Sequence, residues 1–259
     1  MRGLSKTGKY RSMRRPLVVA NWKMNTNLSD AVVLSTAILG AAENISGVEI
    51  VICPPSIWLT EVSQIIRRDL GHISLGAQNI YHLEDGSYTG EISAIMVRDV
   101  AKYVIVGHSE RRKYFGETSG LVSRKTAAAL DAGLVPIVCV GEEKKSDNSV
   151  KEVVLQLKES LAGINKSELD QIVVVYEPVW AVGAQEPAAP EYAARIISQL
   201  REAVSAHTSI LYGGDINSSN VYNFVQRPEI DGVLVGRDSL VAPSFVKICR
   251  IVAEYKKII

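Results

Sequence analysis

The chain has 259 residues, of which 47% are hydrophobic and 22% are charged, and its formal net charge is +1. This near-neutral balance provides no overall field to attract nucleic acid or an anionic membrane surface, and no run of about 18 apolar residues exists to cross a bilayer. A small molecule is therefore the expected partner, and neither nucleic acid nor a membrane is.

The cysteines and histidines are scattered along the chain. Cys53, Cys139 and Cys249 form no closely spaced pair, which fits neither a disulfide framework nor a zinc site and is typical of a reducing cytosol. The four histidines also lack the short spacing that places two metal ligands on one helix face. The sequence therefore predicts a cytoplasmic protein without a metal.

The first fifteen residues, MRGLSKTGKYRSMRR, are basic and contain no acidic residue. They lack the continuous apolar stretch of a secretory signal. A short organelle transit peptide, a solvated disordered tail and a start site read too far upstream of Met13 remain as alternatives. We expect a basic, disordered tail over residues 1–15 and one catalytic domain over residues 16–259.

From Pro16 onward, short β-branched apolar runs alternate with longer segments of helical period. The predicted strands are 17–21, 49–53, 73–77, 103–107, 135–140, 172–177, 209–213 and 231–236. The predicted helices are 29–43, 56–69, 92–100, 119–132, 150–162, 190–206, 218–226 and 243–257, and several begin with a capping residue or with proline. This alternation is typical of parallel βα units.

The predicted strands show no polar/apolar alternation, which indicates that both of their faces are buried. Eight βα units in about 240 residues match the number and the size of one (β/α)8 barrel. An open doubly wound sheet is the alternative, but it requires a Gly-rich phosphate loop after its first strand, and NWKMN (21–25) is not one. The sequence therefore predicts an α/β fold, a single TIM barrel.

Polar residues follow several of the predicted strands, at the barrel end where active sites lie. Asn21 and Lys23 follow the first strand, His108 the fourth and Glu177 the sixth. Each has a simpler interpretation, such as an ion pair for Glu177, a buried core histidine for His108 or a solvated loop for Lys23. Because separate strands place complementary groups at one rim of the barrel, an active site is the favoured interpretation.

These groups suit proton transfer beside a carbonyl. Glu177 is a candidate base, while Lys23 and a neutral His108 are able to stabilise the charge that develops on the carbonyl oxygen, without any cofactor. Glycines also follow the last two strands, Gly213 and Gly214 after the seventh and Gly236 after the eighth, where barrels commonly bind phosphate. The residues therefore point to a small phosphorylated hydroxy-carbonyl substrate.

Ten short motifs resemble those of the triosephosphate isomerase family, and the match runs from about Pro16 to the C-terminus. The most specific are ANWKMN (20–25), HSERR within VGHSERR (106–112) and YEPVW within YEPVWAVG (176–183). The others are CPP (53–55), GAQN (76–79), YTGE (88–91), FGE (115–117), CVGE (139–142), LYGG (211–214) and DGVLVG (231–236).

The resemblance implies a role for each catalytic candidate, and the family is a standard example of acid and base groups with tuned pKa values. Glu177 is implied to be the base that moves a proton between two substrate carbons through an enediolate. His108, kept neutral by the N-terminus of the turn beginning at Ser109, donates a hydrogen bond to the substrate oxygens. Lys23 places positive charge near the phosphate and the carbonyl oxygen, and Asn21 lines the pocket.

The resemblance also implies a carboxylate near the catalytic lysine, Glu110, although its spacing fits an ion pair with Arg111 or Arg112 equally well. The implied reaction interconverts dihydroxyacetone phosphate and D-glyceraldehyde 3-phosphate, as in glycolysis and gluconeogenesis. YTGE resembles a loop that reaches the active site of the partner subunit, with Thr89 contacting the region of Asn21. That similarity implies a homodimer.

Beside the phosphate, the motifs depart from the family. The resemblance implies phosphate binding by Gly183, Gly214 and Gly236 and a lid hinged at PVW (178–180). The lid reads G-A-Q-E-P-A, so that Gln185 and Pro187 stand where the family has more mobile residues.

After the seventh strand, Asp215 replaces a serine whose amide binds phosphate, and a carboxylate beside a dianion is unfavourable. Arg237 replaces a second glycine after the eighth strand and offsets that charge. Three explanations of these changes stay open. They are neutral drift, a related isomerase that acts on a ketotetrose phosphate, and a catalytically silent scaffold. Neutral drift around an intact phosphate site is favoured, and the presence of all the catalytic residue types counts against a silent scaffold.

Overall fold

A computed structural model of the protein describes residues 14–67, 73–182 and 187–256. Eight parallel strands pair in chain order, and β8 pairs with β1 to close a barrel. The strands are β1 (Leu17–Asn21), β2 (Glu49–Cys53), β3 (Ile73–Ala77), β4 (Tyr103–Val106), β5 (Val135–Val140), β6 (Val173–Tyr176), β7 (Ser209–Tyr212) and β8 (Gly232–Val235). The predicted (β/α)8 fold is confirmed.

Helices surround the barrel and cover its outer face. In the described residues they are α1 (Leu28–Ala42), α2 (Leu59–Ile66), α3 (Ala94–Arg98), α4 (Ser109–Phe115), α5 (Ser119–Asp131), α6 (Ser149–Ser160), α7 (Pro190–Arg201), α8 (Val221–Val225) and α9 (Ala242–Tyr255). Short 3-10 turns lie at Ser56–Trp58, Leu169–Gln171, Val179–Ala181 and Arg237–Leu240. None of the helices in these ranges has the length and apolarity needed to cross a membrane.

Every predicted helix overlaps an observed one, but α4 was expected only as a turn. Its seven residues, SERRKYF, are mostly polar, and its aromatic residues Tyr114 and Phe115 are exposed, so it has no apolar stripe to reveal it. Its start is marked by His108, whose side chain caps the first turn. Histidine is not among the usual capping residues.

The buried apolar residues form two layers, one on each side of the sheet. The inner cluster fills the barrel with alternate strand residues, among them Leu17, Val19 and Ile105. The outer cluster packs the opposite residues of the same strands, such as Val18 and Ala20, against the helices. Strands buried on both faces explain why the sequence shows no alternation, and they fix the rim on which the polar residues stand.

A cluster of charged side chains joins three parts of the chain at the amino-terminal end of the barrel. Arg14 Nε lies 2.8 Å from Asp231 Oδ1, and Arg201 Nη2 lies 2.7 Å from Asp231 Oδ2. Asp231 also accepts the Ile210 N–H at 2.9 Å. Residues 1–13, most of the predicted tail, lie outside the described residues, and the boundary at Pro16 stays a prediction.

Removal of residues 2–12 is expected to leave the midpoint of thermal unfolding and the activity unchanged, because Arg14 remains. Arg14→Ala is expected to lower the free energy of unfolding by about 1 kcal/mol, since Asp231 keeps Arg201 as a partner. Urea unfolding of both variants measures this difference. A truncated chain that loses stability or oligomeric state would show that the tail is structural.

Candidate active site

Glu177 follows β6 and is buried at the carboxyl end of the barrel, with 2% of its surface exposed. Its Oε1 lies 3.0 Å from His108 Nε2, and its Oε2 accepts the backbone N–H of Ser109 at 3.1 Å. The room for this side chain comes from Gly213, where an added Cβ would lie 2.8 Å from Glu177 Cγ. Gly213 therefore serves close packing against the carboxylate.

His108 stands between β4 and α4 and serves as the N-cap of that helix. Its Nδ1 accepts the Glu110 N–H at 3.3 Å, which leaves Nε2 to carry a proton toward Glu177. A neutral imidazole in this tautomer acts as a hydrogen-bond donor at Nε2. The ring is thus aimed into the barrel mouth by a backbone contact on its far side.

The pKa values of His108 and Glu177 are coupled. Burial lowers the pKa of His108, but the charge of Glu177 and its hydrogen bond outweigh burial, and the pKa is raised above its ordinary value. Burial raises the pKa of Glu177, but His108, the Ser109 N–H and Lys23 together lower it. The raised pKa of His108 therefore belongs to the arrangement in which Glu177 Oε1 lies 3.0 Å from its Nε2.

Lys23 extends into the same cavity from the loop after β1. Its Nζ lies 2.6 Å from Glu110 Oε1, so Glu110 pairs with Lys23 and not with Arg111 or Arg112. The Lys23 backbone has a φ of 54°, in the left-handed region that a residue with a side chain rarely adopts. Asn21 Oδ1 accepts the Lys23 N–H at 3.1 Å and supports this turn.

Gln78 is a positioning residue that the sequence interpretation did not single out. Its Nε2 donates to the carbonyl oxygens of Lys23 and Cys53, each at 2.9 Å. It thereby fixes the backbone from which the Lys23 side chain projects. The GAQN motif contained this residue, but its spacing alone gives no reason to link it to Lys23.

A cavity of about 450 Å³ at the barrel mouth is lined by Glu177, His108 and Lys23. On its far side lie the residues predicted to bind phosphate, namely Gly214, Asp215, Gly236 and Arg237. Asp215 is half-buried and Arg237 is exposed. Gly236 lies near Lys23, because an added Cβ would stand 3.5 Å from Lys23 Cε. Gly183 and Gln185 lie outside the described residues.

Glu142, after β5, is a buried carboxylate that organises the segment beyond Glu177. Its Oε1 accepts the hydroxyl groups of Tyr176 at 3.0 Å and Tyr192 at 2.8 Å, and the indole N–H of Trp180 at 2.8 Å. Its backbone carbonyl accepts the Val179 N–H at 3.0 Å. The CVGE motif contains Glu142, but its tertiary partners were not deducible from the sequence.

A second cavity, of about 460 Å³, opens beside the first and shares Lys23, His108 and Glu110 with it. Exposed apolar side chains lie around this face, including Met24, Ile57 and Phe115. Thr89 is exposed in the loop between β3 and α3. Lys23, His108 and Glu110 therefore each line two cavities in the single chain.

Comparison with known proteins agrees with this geometry. The family model for triosephosphate isomerase matches residues 16–252. The chain belongs to the triosephosphate isomerase family. A triosephosphate isomerase of Dehalococcoides mccartyi (strain ATCC BAA-2266 / KCTC 15142 / 195) is 46% identical over 256 residues, which cover 95% of this chain and 100% of the relative.

Other triosephosphate isomerases are similar over a comparable length. That of Endomicrobium trichonymphae is 44% identical over 249 residues, covering 92% of this chain and 99% of the relative. The crystal structure of triosephosphate isomerase from Bartonella henselae has a TM-score of 0.81 at 32% identity and covers 92% of this chain and 98% of its own. The triosephosphate isomerase match includes every strand and every described residue of the cavity.

Proposed function

We propose that the protein interconverts dihydroxyacetone phosphate and D-glyceraldehyde 3-phosphate by proton transfer through an enediolate. The observation that carries this proposal is the pairing of a buried carboxylate with a buried imidazole, His108 Nε2 to Glu177 Oε1 at 3.0 Å, beside the Lys23 ammonium in one cavity. Family membership supports the same reaction. Only side chains and backbone amides of the chain take part.

In the proposed reaction, Glu177 takes a proton from the hydroxyl-bearing carbon, and the electrons pass into the neighbouring carbonyl to form an enediolate. The proton of the original hydroxyl then moves to the former carbonyl oxygen through His108 Nε2, and return of the carbon-bound proton from Glu177 to the other carbon gives the aldehyde. Lys23 and His108 Nε2 stabilise the negative oxygen, and such preorganised donors are worth about 10²–10³ in rate. In the resting arrangement Glu177 accepts a hydrogen bond from the Ser109 N–H, and in the proposed reaction this bond breaks when Glu177 turns to the substrate.

His108 is proposed to be neutral during the reaction. Its pKa is raised at rest because Glu177 lies against it, and that charge departs when Glu177 turns to the substrate. Burial, the charge of Lys23 and the start of α4 then favour the neutral ring, against the charge of Glu110, which raises the pKa. A neutral imidazole then donates from Nε2 while Nδ1 keeps the Glu110 N–H.

The phosphate is proposed to bind at the carboxyl ends of β7 and β8, through the amides near Gly214 and Gly236 and through Arg237. Arg237 supplies a cation to the cavity, which Asp215 also lines. Gly183 is proposed to add its amide when the segment after Glu177 closes. Exclusion of water protects an enediolate, which otherwise loses its phosphate.

A coupled assay on dihydroxyacetone phosphate and on a ketotetrose phosphate tests the proposal. We expect efficient turnover of the triose, toward the diffusional ceiling of about 10⁸–10⁹ M⁻¹s⁻¹ for kcat/KM. A preference for the tetrose would assign Asp215, Arg237 and Gln185 to a reshaped pocket. Turnover of neither compound would contradict an isomerase function and favour a scaffold.

Asp215→Ser is expected to lower the Michaelis constant for the triose phosphate by roughly two- to five-fold, because a carboxylate beside the phosphate dianion is removed. Steady-state kinetics measure the change, and Asp147→Ser, at an exposed aspartate after β5, is the matched control. A raised Michaelis constant would instead indicate that Asp215 accepts a hydrogen bond from the closed lid.

We also propose that the protein is a homodimer. The support is the second cavity beside Lys23, the exposed apolar residues around it and the exposed loop that carries Thr89. Large exposed apolar patches commonly mark protein interfaces. In the dimer, the Thr89 loop of each subunit enters the second cavity of the other and packs against the region of Asn21.

Phe115→Asp is expected to yield monomers with at least about tenfold lower kcat, because a charge in an apolar interface is costly and the loops around Lys23 lose their support. Sedimentation velocity gives the mass, and the coupled assay gives the rate. Leu155→Asp, at an exposed leucine of α6, is the control and leaves both unchanged. A Phe115→Asp protein that kept the mass of a dimer would overturn the assignment of this face.

The compartment is proposed to be the cytoplasm, and the pathway context glycolysis and gluconeogenesis. Cys53, Cys139 and Cys249 are free and buried, which suits a reducing environment. Burial raises the pKa of the thiols of Cys53 and Cys249, so they are structural and unreactive.

A further inference from the structure

The loop after β7 borders the half of the cavity that is proposed to bind phosphate, and its residues are hydrogen-bonded to one another. Asn217 Oδ1 accepts the N–H groups of Ser219 at 2.9 Å and Asn220 at 3.1 Å. Asn220 Nδ2 in turn donates to the backbone carbonyl of Asp215 at 2.8 Å. Residues 215–220 therefore form one hydrogen-bonded unit.

The turn after β8 borders the same half of the cavity and is also held by its own hydrogen bonds. The Gly236 carbonyl accepts the Ser239 N–H at 2.9 Å and the Ser239 hydroxyl at 2.6 Å. The Val241 N–H donates to the backbone carbonyl of Asp238 at 3.3 Å. Residues 236–241 therefore form a second hydrogen-bonded unit.

The Asp238 side chain joins these two units to each other and to α9. Its Oδ2 accepts the hydroxyl of Ser244, in the first turn of α9, at 2.6 Å and the backbone N–H of Ser218 at 3.4 Å. Within the part of the chain that the structure describes, no other hydrogen bond links residues 213–220 to residues 236–241. The hydrogen bonding between the two loops therefore depends on Asp238.

A role in α9 alone does not account for both contacts of Asp238. The bond to Ser244 stabilises the start of the helix, whereas the bond to Ser218 reaches across to the loop of a different strand. Asp238 is half-buried, which limits competition from water, and bonds to a charged acceptor are stronger than bonds to a neutral one. The carboxylate is therefore suited to hold the two loops at a fixed spacing.

We propose that Asp238 is a positioning residue that sets the spacing of the two loops between which the phosphate binds. The inference rests on the proposed function, in which amides near Gly214 and Gly236 bind that phosphate. An anion bound by groups from two loops is held more tightly when both loops are already in place. Asp238 is not one of the described residues that line the cavity, so it acts through the loops and not on the substrate.

Two substitutions that remove the same charge separate the hydrogen bonds of Asp238 from its charge. Both bonds end on Oδ2, so Asp238→Asn keeps an oxygen that accepts them, whereas Asp238→Ala keeps none. Calorimetry with glycerol 3-phosphate, which carries the phosphate but no carbonyl, is expected to show roughly three- to tenfold weaker binding in Asp238→Ala than in Asp238→Asn. The same two substitutions at the exposed Asp147 are the matched control and should not differ.

Steady-state kinetics distinguish positioning from a purely structural role. The Michaelis constant for the triose phosphate should differ between Asp238→Ala and Asp238→Asn by the same factor as the affinity, with kcat within about twofold, because the phosphate is bound alike in the ground state and the transition state. A purely structural role would lower the midpoint of thermal unfolding and leave the affinity of the folded protein unchanged.

Ser244→Ala tests the same contact from the other side and keeps the carboxylate. It is expected to weaken the binding of glycerol 3-phosphate by roughly two- to fivefold, since Asp238 loses its bond to α9. In the Asp238→Ala background the same change should have no further effect, because the two side chains act as a pair. Ser244→Ala also provides the test if Asp238→Ala does not fold.

Two results would overturn the proposal: equal affinities for glycerol 3-phosphate in Asp238→Ala and Asp238→Asn, or an affinity of Ser244→Ala that matches the unchanged protein. Binding of glycerol 3-phosphate does not require turnover. If the variants differ as expected but the unchanged protein fails to isomerise the triose phosphate, the proposed function is contradicted and the role of Asp238 in phosphate binding stands.

Discussion

Glu177→Asp is expected to lower the kcat of triose phosphate isomerisation by on the order of 10²-fold or more. The substitution keeps the carboxylate but withdraws it by one methylene, and displacements of about 1 Å reduce rates to this extent. The site does not adjust easily, because Glu177 is buried and its backbone N–H is bonded to the Val140 carbonyl at 2.8 Å. The coupled assay at saturating substrate measures the loss.

The matched control is Glu143→Asp, at an exposed glutamate on the loop after β5. It makes the same chemical change and should leave the rate within experimental error. Thermal unfolding of both variants separates a lost base from a lost fold. An unchanged kcat in Glu177→Asp would remove Glu177 from the role of base.

Lys23→Met is expected to lower kcat by about 10²–10³-fold, the usual cost of removing one preorganised group that stabilises a developing oxyanion. Methionine keeps the length of the side chain and removes the ammonium that lies 2.6 Å from Glu110. The Michaelis constant should also rise, since the same cation faces the phosphate. Initial rates over a range of substrate concentrations separate these two effects.

Lys113→Met serves as the control, because Lys113 also lines the cavity but makes a cation–π contact with Tyr114 at the surface. Its rate should change little. A similar loss in both variants would indicate that the general positive field of the cavity is what matters, and would count against a specific role for Lys23.

The fold was predictable because each strand carries its own signal. Apolar residues on both faces of β1, such as Leu17 and Val18, identify a strand buried between a barrel interior and a helix layer. Helix ends were less accurate: the predicted helix from Pro190 to Ala206 stops at Arg201. After Arg201 the chain leaves the helix, and the Arg201 side chain donates a hydrogen bond to the carbonyl oxygen of Thr208 in the following loop.

The position of the candidate site residues at the barrel rim was predictable, and their pairing was not. Glu177 and Lys23 are revealed by their positions after strands, but the alternatives for Glu110 were decided only by the tertiary contact with Lys23. Gln78 and Glu142 act through contacts between distant parts of the chain. Such contacts depend on how neighbouring strands are aligned, which a single sequence does not specify.

The ion pair between Arg14 and Asp231 has a practical consequence for handling the protein. Asp231 precedes β8, so the chain enters the barrel at the end opposite Glu177. A purification tag, a fluorophore or a tether to a solid support joined at Arg14, in a chain shortened to that residue, would therefore attach on the side facing away from the cavity. In molecules immobilised in this way, the cavity that contains Glu177 would face the surrounding solution.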